Sequence, residues 1–128
     1  MPLDLNAVHT ENAPAAIGPY SQAITCGGLA YLSGQLGIAP ATGVIPDDFS
    51  EQARQALTNL QTIVEAAGAR MDAVVSVDVF LTDMAKFAEF NQIYAEFFPR
   101  HKPARAAIGV AALPREAQVE VRCIAALA

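Results

Sequence analysis

Val75-Ser76-Val77-Asp78-Val79-Phe80-Leu81-Thr82-Asp83 decides the fold. Val75, Val77, Val79 and Leu81 alternate with Ser76, Asp78 and Phe80, the period of two that sends successive side chains to opposite faces of a strand. The apolar set belongs to a core and the other set faces away from it. Asp83 stands where a helix N-cap belongs. The stripe Met84, Phe87, Tyr94 and Phe98 then predicts a helix that runs to about Phe98 and stops at Pro99. An earlier helix is equally well marked. Asp48 with Glu51 three residues on resembles a capping box. Phe49, Ala53, Ala56, Leu57, Leu60, Ile63, Val64 and Ala67 recur at helical spacing, with Arg54, Gln61 and Glu65 on the wet side, and Gly68 closes the helix.

Outward from this centre the chain reads as strands. The first dozen or so residues read as an irregular arm. Two short strands, roughly Ser21 to Thr25 and Leu29 to Ser33, flank Gly27-Gly28, a tight hairpin turn. Pro40-Ala41-Thr42-Gly43 is another turn. The last two strands span roughly Ala104 to Ala111 and Gln118 to Ala126, with Leu113-Pro114-Arg115-Glu116 turning the chain between them. The order β-β-α-β-α-β-β predicts an α+β sandwich, one mixed sheet with two helices on one face. Hydrophobic residues make up 53% and charged residues 16% of the chain, so the sequence predicts that subunit contacts cover the other sheet face.

A chain of 128 residues fits one domain, 1–128, large enough to bury a core without staples. No apolar stretch has the length to cross a bilayer. Met1-Pro2-Leu3-Asp4 does not read as a secretory signal, so the expected compartment is the cytoplasm. Cys26 and Cys123 lack CxxC spacing and a neighbouring His cluster, and read as free thiols without a disulfide or a metal. The net charge of −5 argues against sequence-independent nucleic-acid binding.

Several residues break the apolar pattern. Arg105 sits in Pro103-Ala104-Arg105-Ala106-Ala107-Ile108-Gly109-Val110, which reads as a strand buried on both faces. A guanidinium there either reaches solvent or a structural acid, or serves as a planar fork for a carboxylate. Asn91 falls on the apolar stripe of the second helix, where it either caps a loop carbonyl or lines a polar pocket. Glu120, between Val119 and Val121, either pairs across strands with a cation such as Arg122 or is a half-buried carboxylate able to act as acid or base. Tyr20 ends Ile17-Gly18-Pro19-Tyr20 as a core tyrosine or a pocket residue. Ser33-Gly34-Gln35 is either a turn with Gly34 at positive φ or a pair of donors, the Ser33 hydroxyl and the Gly34 amide, for an anion. His9 and His101 read as surface residues. No phosphate loop, dinucleotide turn, metal-ligand set or Ser/His/Asp arrangement is present. The remaining set, a guanidinium, a carboxylate, a tyrosine, an amide and a hydroxyl, suits cofactor-free hydrolytic or proton-transfer chemistry on a small carboxylate.

The segment Glu11-Asn12-Ala13-Pro14-Ala15-Ala16-Ile17-Gly18-Pro19-Tyr20-Ser21-Gln22-Ala23 resembles the N-terminal signature of the RidA family, also called YjgF or L-PSP. The likeness continues through Leu32-Ser33-Gly34-Gln35, the helix from Gln52-Ala53 to Gly68, Val79-Phe80-Leu81-Thr82-Asp83, Asn91, Pro103-Ala104-Arg105, Leu113-Pro114 and Val119-Glu120-Val121. The resemblance implies a chorismate-mutase-like fold with a mixed six-stranded sheet and a homotrimer with pockets at its subunit interfaces. It also implies hydrolysis of reactive 2-imino acids or their enamine tautomers, such as 2-iminobutanoate and 2-iminopropanoate, to 2-oxo acids and ammonia. Such intermediates arise downstream of PLP-dependent threonine or serine dehydratases. No metal or cofactor is implied. Arg105, Glu120 and Tyr20 match the family's catalytic positions, and Ser33, Gly34, Asn91 and Ala107 its substrate-binding positions. Ala107 stands where many members carry a cysteine, so thiol-based side activity is not expected there. Gly109 likewise replaces a bulkier residue.

Two alternatives stay open: a non-catalytic carboxylate-binding or chaperone-type module, and, implied by the resemblance, an endoribonuclease or translation inhibitor, against which the acidic charge and the missing histidine pair count. A geometric point bears on assembly. If the last two strands formed a tight hairpin around Pro114, Arg105 and Glu120 would lie some 20 Å apart along it. Either these strands are not neighbours, or the site joins Arg105 of one subunit to Glu120 of another.

Overall fold

The computed structural model describes residues 4–127. Helix α1, Phe49–Ala66, starts where Asp48 accepts a hydrogen bond from the Glu51 N–H at 3.0 Å, one half of the expected capping box. Its apolar stripe from Phe49 to Val64 is buried, and Gly68 ends it at φ +90. The second helix differs slightly from expectation. A 3-10 turn, Met84–Lys86, capped by Asp83, precedes α2, Phe87–Phe97. Met84 is exposed, whereas Phe90 and Ile93 join the buried stripe.

Seven strands form one mixed sheet, not the six implied by the resemblance. They are β1 Asn6–Val8, β2 Ala23–Cys26, β3 Leu29–Leu32, β4 Gln35–Leu36, β5 Val74–Leu81, β6 Ala104–Gly109 and β7 Val119–Ala126. The lateral order is β1-β2-β3-β7-β5-β6, with β4 also pairing β7. The arm expected to be irregular supplies β1, which zips onto β2 through three pairs too short to show an alternation. Gly27 and Gly28 turn the β2–β3 hairpin at φ +60 and +81. The strand beginning at Leu29 breaks at Ser33-Gly34 and resumes as β4, both pieces lying against β7.

Both helices pack on one face. Val77, Val79 and Leu81 of β5 and Val119, Val121, Cys123 and Ala125 of β7 meet them in a single core. Val75 does not join it. A register shift between Val74 and Ser76 marks a bulge there, and Val75 is 48% exposed. Strand β6 also departs from expectation. It is an edge strand, parallel to β5 and mostly exposed, and not a strand buried on both faces. The opposite sheet face carries Ile24, Tyr31, Phe80 and Ile124, and no helix of the described residues lies over it.

Buried amides of α1 fix the sheet's far end. Asn59 donates to the carbonyls of Leu36 and Ile38 at 3.0 and 2.9 Å. Gln52 accepts from the Gln118 N–H at 3.0 Å. Among the described residues no helix is long and apolar enough to cross a membrane.

Candidate active site

The β3–β4 break and β7 build one group of residues. Tyr20, Ser33, Gly34 and Glu120 line an open hollow of about 600 Å³ together with Ile17 and Arg122, a size suited to a small ligand. Tyr20 is 45% exposed, which rules out the core reading. Its hydroxyl accepts from the Ile17 N–H at 3.2 Å, leaving its own proton free to donate. Gln22 anchors the segment around it, accepting from the Thr10 N–H and donating to the carbonyls of Thr10 and Pro14.

Ser33 corrects one expectation. Its hydroxyl donates to the Ser21 carbonyl at 2.6 Å and its amide to Gln22 at 3.0 Å, so it offers a ligand lone pairs and no proton. Gly34 is not at positive φ. It is glycine because a Cβ there would lie 2.6 Å from Oε2 of Glu120.

Glu120 forms no ion pair among the described residues. Arg122, its candidate partner, is turned to Asp78 at 3.0 Å and over the Phe80 ring. Burial raises the Glu120 carboxyl above the ordinary carboxylate range, and the nearby Arg122 charge opposes that rise.

A second group gathers where β6 meets α2. The Arg105 guanidinium donates to Asn91 Oδ1 at 2.9 Å, so Asn91 neither caps a loop nor stands alone. Arg105 also lies over the rings of Tyr94 and Phe87, at 4.8 and 5.6 Å. It has no carboxylate partner among the described residues. Ala107, opposite Val79, faces the same side as Arg105, two residues along β6. A Cβ on Gly109 would stand 3.0 Å from Cγ of the exposed Met84 side chain.

The fold keeps these two groups apart within one chain. Arg105 pairs with Val77, on the helix side of the sheet, and Glu120 pairs with Phe80, on the open side. Strand β5 runs between β6 and β7, so the last two strands are not neighbours. Arg105 and Glu120 are offset by about 10 Å across the strands and about 10 Å along them, and they point to opposite faces.

Sequence reasoning did not find the aromatic contacts of Arg105, although Phe87, Asn91 and Tyr94 share one helical stripe. It also did not place Arg122 in the hollow. Cys26 and Cys123 are free, and burial pushes the Cys123 thiol up to about 12, which leaves it unreactive. Among the described residues, no three His, Cys, Asp or Glu side chains cluster as a metal site would require.

A helix-backed mixed sheet with a guanidinium on one face and a carboxylate on the other, neither ion-paired among the described residues, defines a small α+β protein. The family model described as Endoribonuclease L-PSP matches residues 10–127, and the chain belongs to this RidA/YjgF/L-PSP family. It is 45% identical over 121 residues to the 2-iminobutanoate/2-iminopropanoate deaminase of Salmonella typhimurium, covering 92% of this chain and 94% of that one. It is 47% identical to the chloroplastic Reactive Intermediate Deaminase A of Arabidopsis thaliana, covering 94% of this chain and 65% of that one. Among solved structures, E. coli TdcF with bound serine superposes with a TM-score of 0.92 at 39% identity, covering 96% of this chain and 99% of that one.

Proposed function

We propose that this protein is a cofactor-independent deaminase that hydrolyses small 2-imino acids, such as 2-iminobutanoate and 2-iminopropanoate, to 2-oxo acids and ammonia. The observation that carries the reading is a pair of groups of opposite charge that form no ion pair among the described residues: Arg105, held by Asn91 and two rings, and Glu120, backed by Gly34. The 45% identity to a deaminase of that specificity supports it. So does serine bound by TdcF, a small α-amino acid whose carboxylate resembles that of the substrate.

In this reading the catalytic residues are Arg105, Glu120 and Tyr20. The binding residues are Ser33, Gly34, Asn91 and Ala107. They meet in a homotrimer, where Arg105, at the β6 edge of one subunit, reaches Glu120 on the open sheet face of the next. Arg105 grips the substrate carboxylate bidentately, a charge-assisted contact of roughly 1.5–3 kcal/mol. Ionised Glu120 takes a proton from a water as its oxygen attacks the imine carbon, and passes that proton to the imine nitrogen. The carbinolamine that results carries both OH and NH₂ on that carbon. Glu120 then carries the hydroxyl proton to the amino nitrogen as the C–N bond breaks and C=O forms. Water and imine are consumed, and the 2-oxo acid and ammonia are released. Tyr20 donates to the substrate nitrogen or to the water, Ser33 accepts from it, and the Ala107 backbone borders the carboxylate. The substrate already decays in water, so positioning alone supplies much of the acceleration. The compartment in this reading is the cytoplasm, although one relative is a chloroplast protein.

The test generates 2-iminobutanoate in situ with a threonine dehydratase in the presence of semicarbazide. Wild type should suppress semicarbazone formation and Arg105→Ala should not. If wild type leaves the semicarbazone unchanged yet binds 2-oxobutanoate, the protein is a carboxylate-binding module and not a deaminase.

A further inference from the structure

Arg105 lies on an exposed edge strand, where a long side chain ordinarily samples many rotamers. A guanidinium that must meet a carboxylate with both arms cannot do so from a mobile stem. Helix α2 supplies the restraint. Phe87, Asn91 and Tyr94 follow one another at spacings of four and three residues, a single stripe of the helix. Asn91 fixes one nitrogen of the fork at 2.9 Å. The two aromatic rings lie within the ~6 Å at which a cation and a ring attract, Tyr94 at 4.8 Å and Phe87 at 5.6 Å.

Tyr94 is the firmer of the two rings. It is only 9% exposed, and its ring is wedged between Phe90 and Phe98 at centroid distances of 5.8 and 4.7 Å. Its hydroxyl is buried without a hydrogen-bond partner among the described residues. A buried phenol with an unmet hydrogen bond is a cost to the fold, so the hydroxyl does not account for the residue. The ring face does.

We infer that Phe87 and Tyr94, with Asn91 between them, form a platform that fixes the direction of the Arg105 guanidinium, Tyr94 being the principal positioning residue. This rests on the reading of Arg105 as the carboxylate clamp. The platform acts through Arg105 and touches no substrate.

The experiment pairs Tyr94→Leu with Tyr94→Phe and Phe87→Leu. The first readout is ¹⁵N relaxation of the Arg105 Nε–H, assigned by its loss in Arg105→Lys. It needs no substrate, so it separates failure of the platform from failure of the deaminase reading. Tyr94→Leu should lower the order parameter below about 0.6, Phe87→Leu should lower it less, and Tyr94→Phe should keep the wild-type value. The second readout is imine hydrolysis. Tyr94→Leu should raise KM about tenfold with kcat within about twofold, the loss of one desolvated cation–ring contact, and Tyr94→Phe should restore the wild-type KM. If Tyr94→Leu does not fold, the half-buried Phe87→Leu carries both readouts. An Arg105 Nε–H as rigid in both leucine variants as in wild type would overturn the platform. So would a Tyr94→Phe variant as impaired as Tyr94→Leu, since the hydroxyl would then be the active part.

Discussion

Gly34 and Glu120 are in contact across the break between β3 and β4: a methyl group on Gly34 would lie 2.6 Å from Oε2 and 2.8 Å from the carboxyl carbon of Glu120. The obstructing atoms end a flexible side chain, so the cheap response to Gly34→Ala is for the carboxylate to move. Unfolding free energy should change by under about 1 kcal/mol, while kcat/KM should fall about 10²-fold, the cost of displacing a catalytic group by an ångström. Parallel urea titrations and imine-hydrolysis assays check this. A stability loss without a rate loss would mean that Glu120 is not where the chemistry happens.

Gly37 offers a contrast three residues on. A Cβ there would collide with the Gln52 backbone carbonyl of α1, and 2.9 Å away with its Cα. Backbone cannot swing aside, so Gly37→Ala should destabilise by several kcal/mol. Asn59→Leu should cost a similar ~2–4 kcal/mol, because it strips the donors from the Leu36 and Ile38 carbonyls. Chemical denaturation of the two variants gives both values.

The acid limb of the pH–rate profile should belong to Glu120. Burial raises its carboxyl, so the ionised base is lost at a higher pH than for a free carboxylate, and activity should fall as pH drops through that raised value. Arg122 opposes the rise while tied to Asp78 at 3.0 Å. Arg122→Gln should therefore move the limb of kcat/KM to higher pH. Asp78→Asn frees Arg122 to approach Glu120 and should move it to lower pH. Shifts in one direction for both variants would contradict this arrangement.

The elements nearest the core were legible in the sequence because their period is set by burial within the chain. The stripe from Phe49 to Val64 and the alternation from Val77 to Leu81 are of this kind. Val75 was misread because a bulge inserts one residue without altering the apolar pattern. The strand from Ala104 to Gly109 was misread because small apolar residues look the same whether their cover lies in their own chain or elsewhere. At the site, residue types were readable but directions were not. Nothing in Ser21 to Ser33 tells that the serine hydroxyl donates back to its own chain. The placing of Arg105 and Glu120 on opposite faces depends on β7 reaching across to sit between β3 and β5, a long-range pairing with no local signature.

That placement allows a decisive test of the proposal that the site is shared between chains. A cyclic trimer joined by heterologous contacts has three equivalent interfaces, each pairing one side of a chain with the other side of its neighbour. Arg105→Ala and Glu120→Gln should each be inactive alone. Mixed in equal amounts, denatured and refolded together, they should recover about one quarter of wild-type activity, because about one interface in four then joins an intact Arg105 to an intact Glu120. Within a single chain the two residues face opposite sides of the sheet, so a monomeric site has no route to such recovery. The measurement is kcat of the refolded mixture per mole of chain, with each variant refolded alone as the baseline. Activity at that baseline in a mixture shown to contain hybrid trimers would mean that Arg105 and Glu120 do not serve one site.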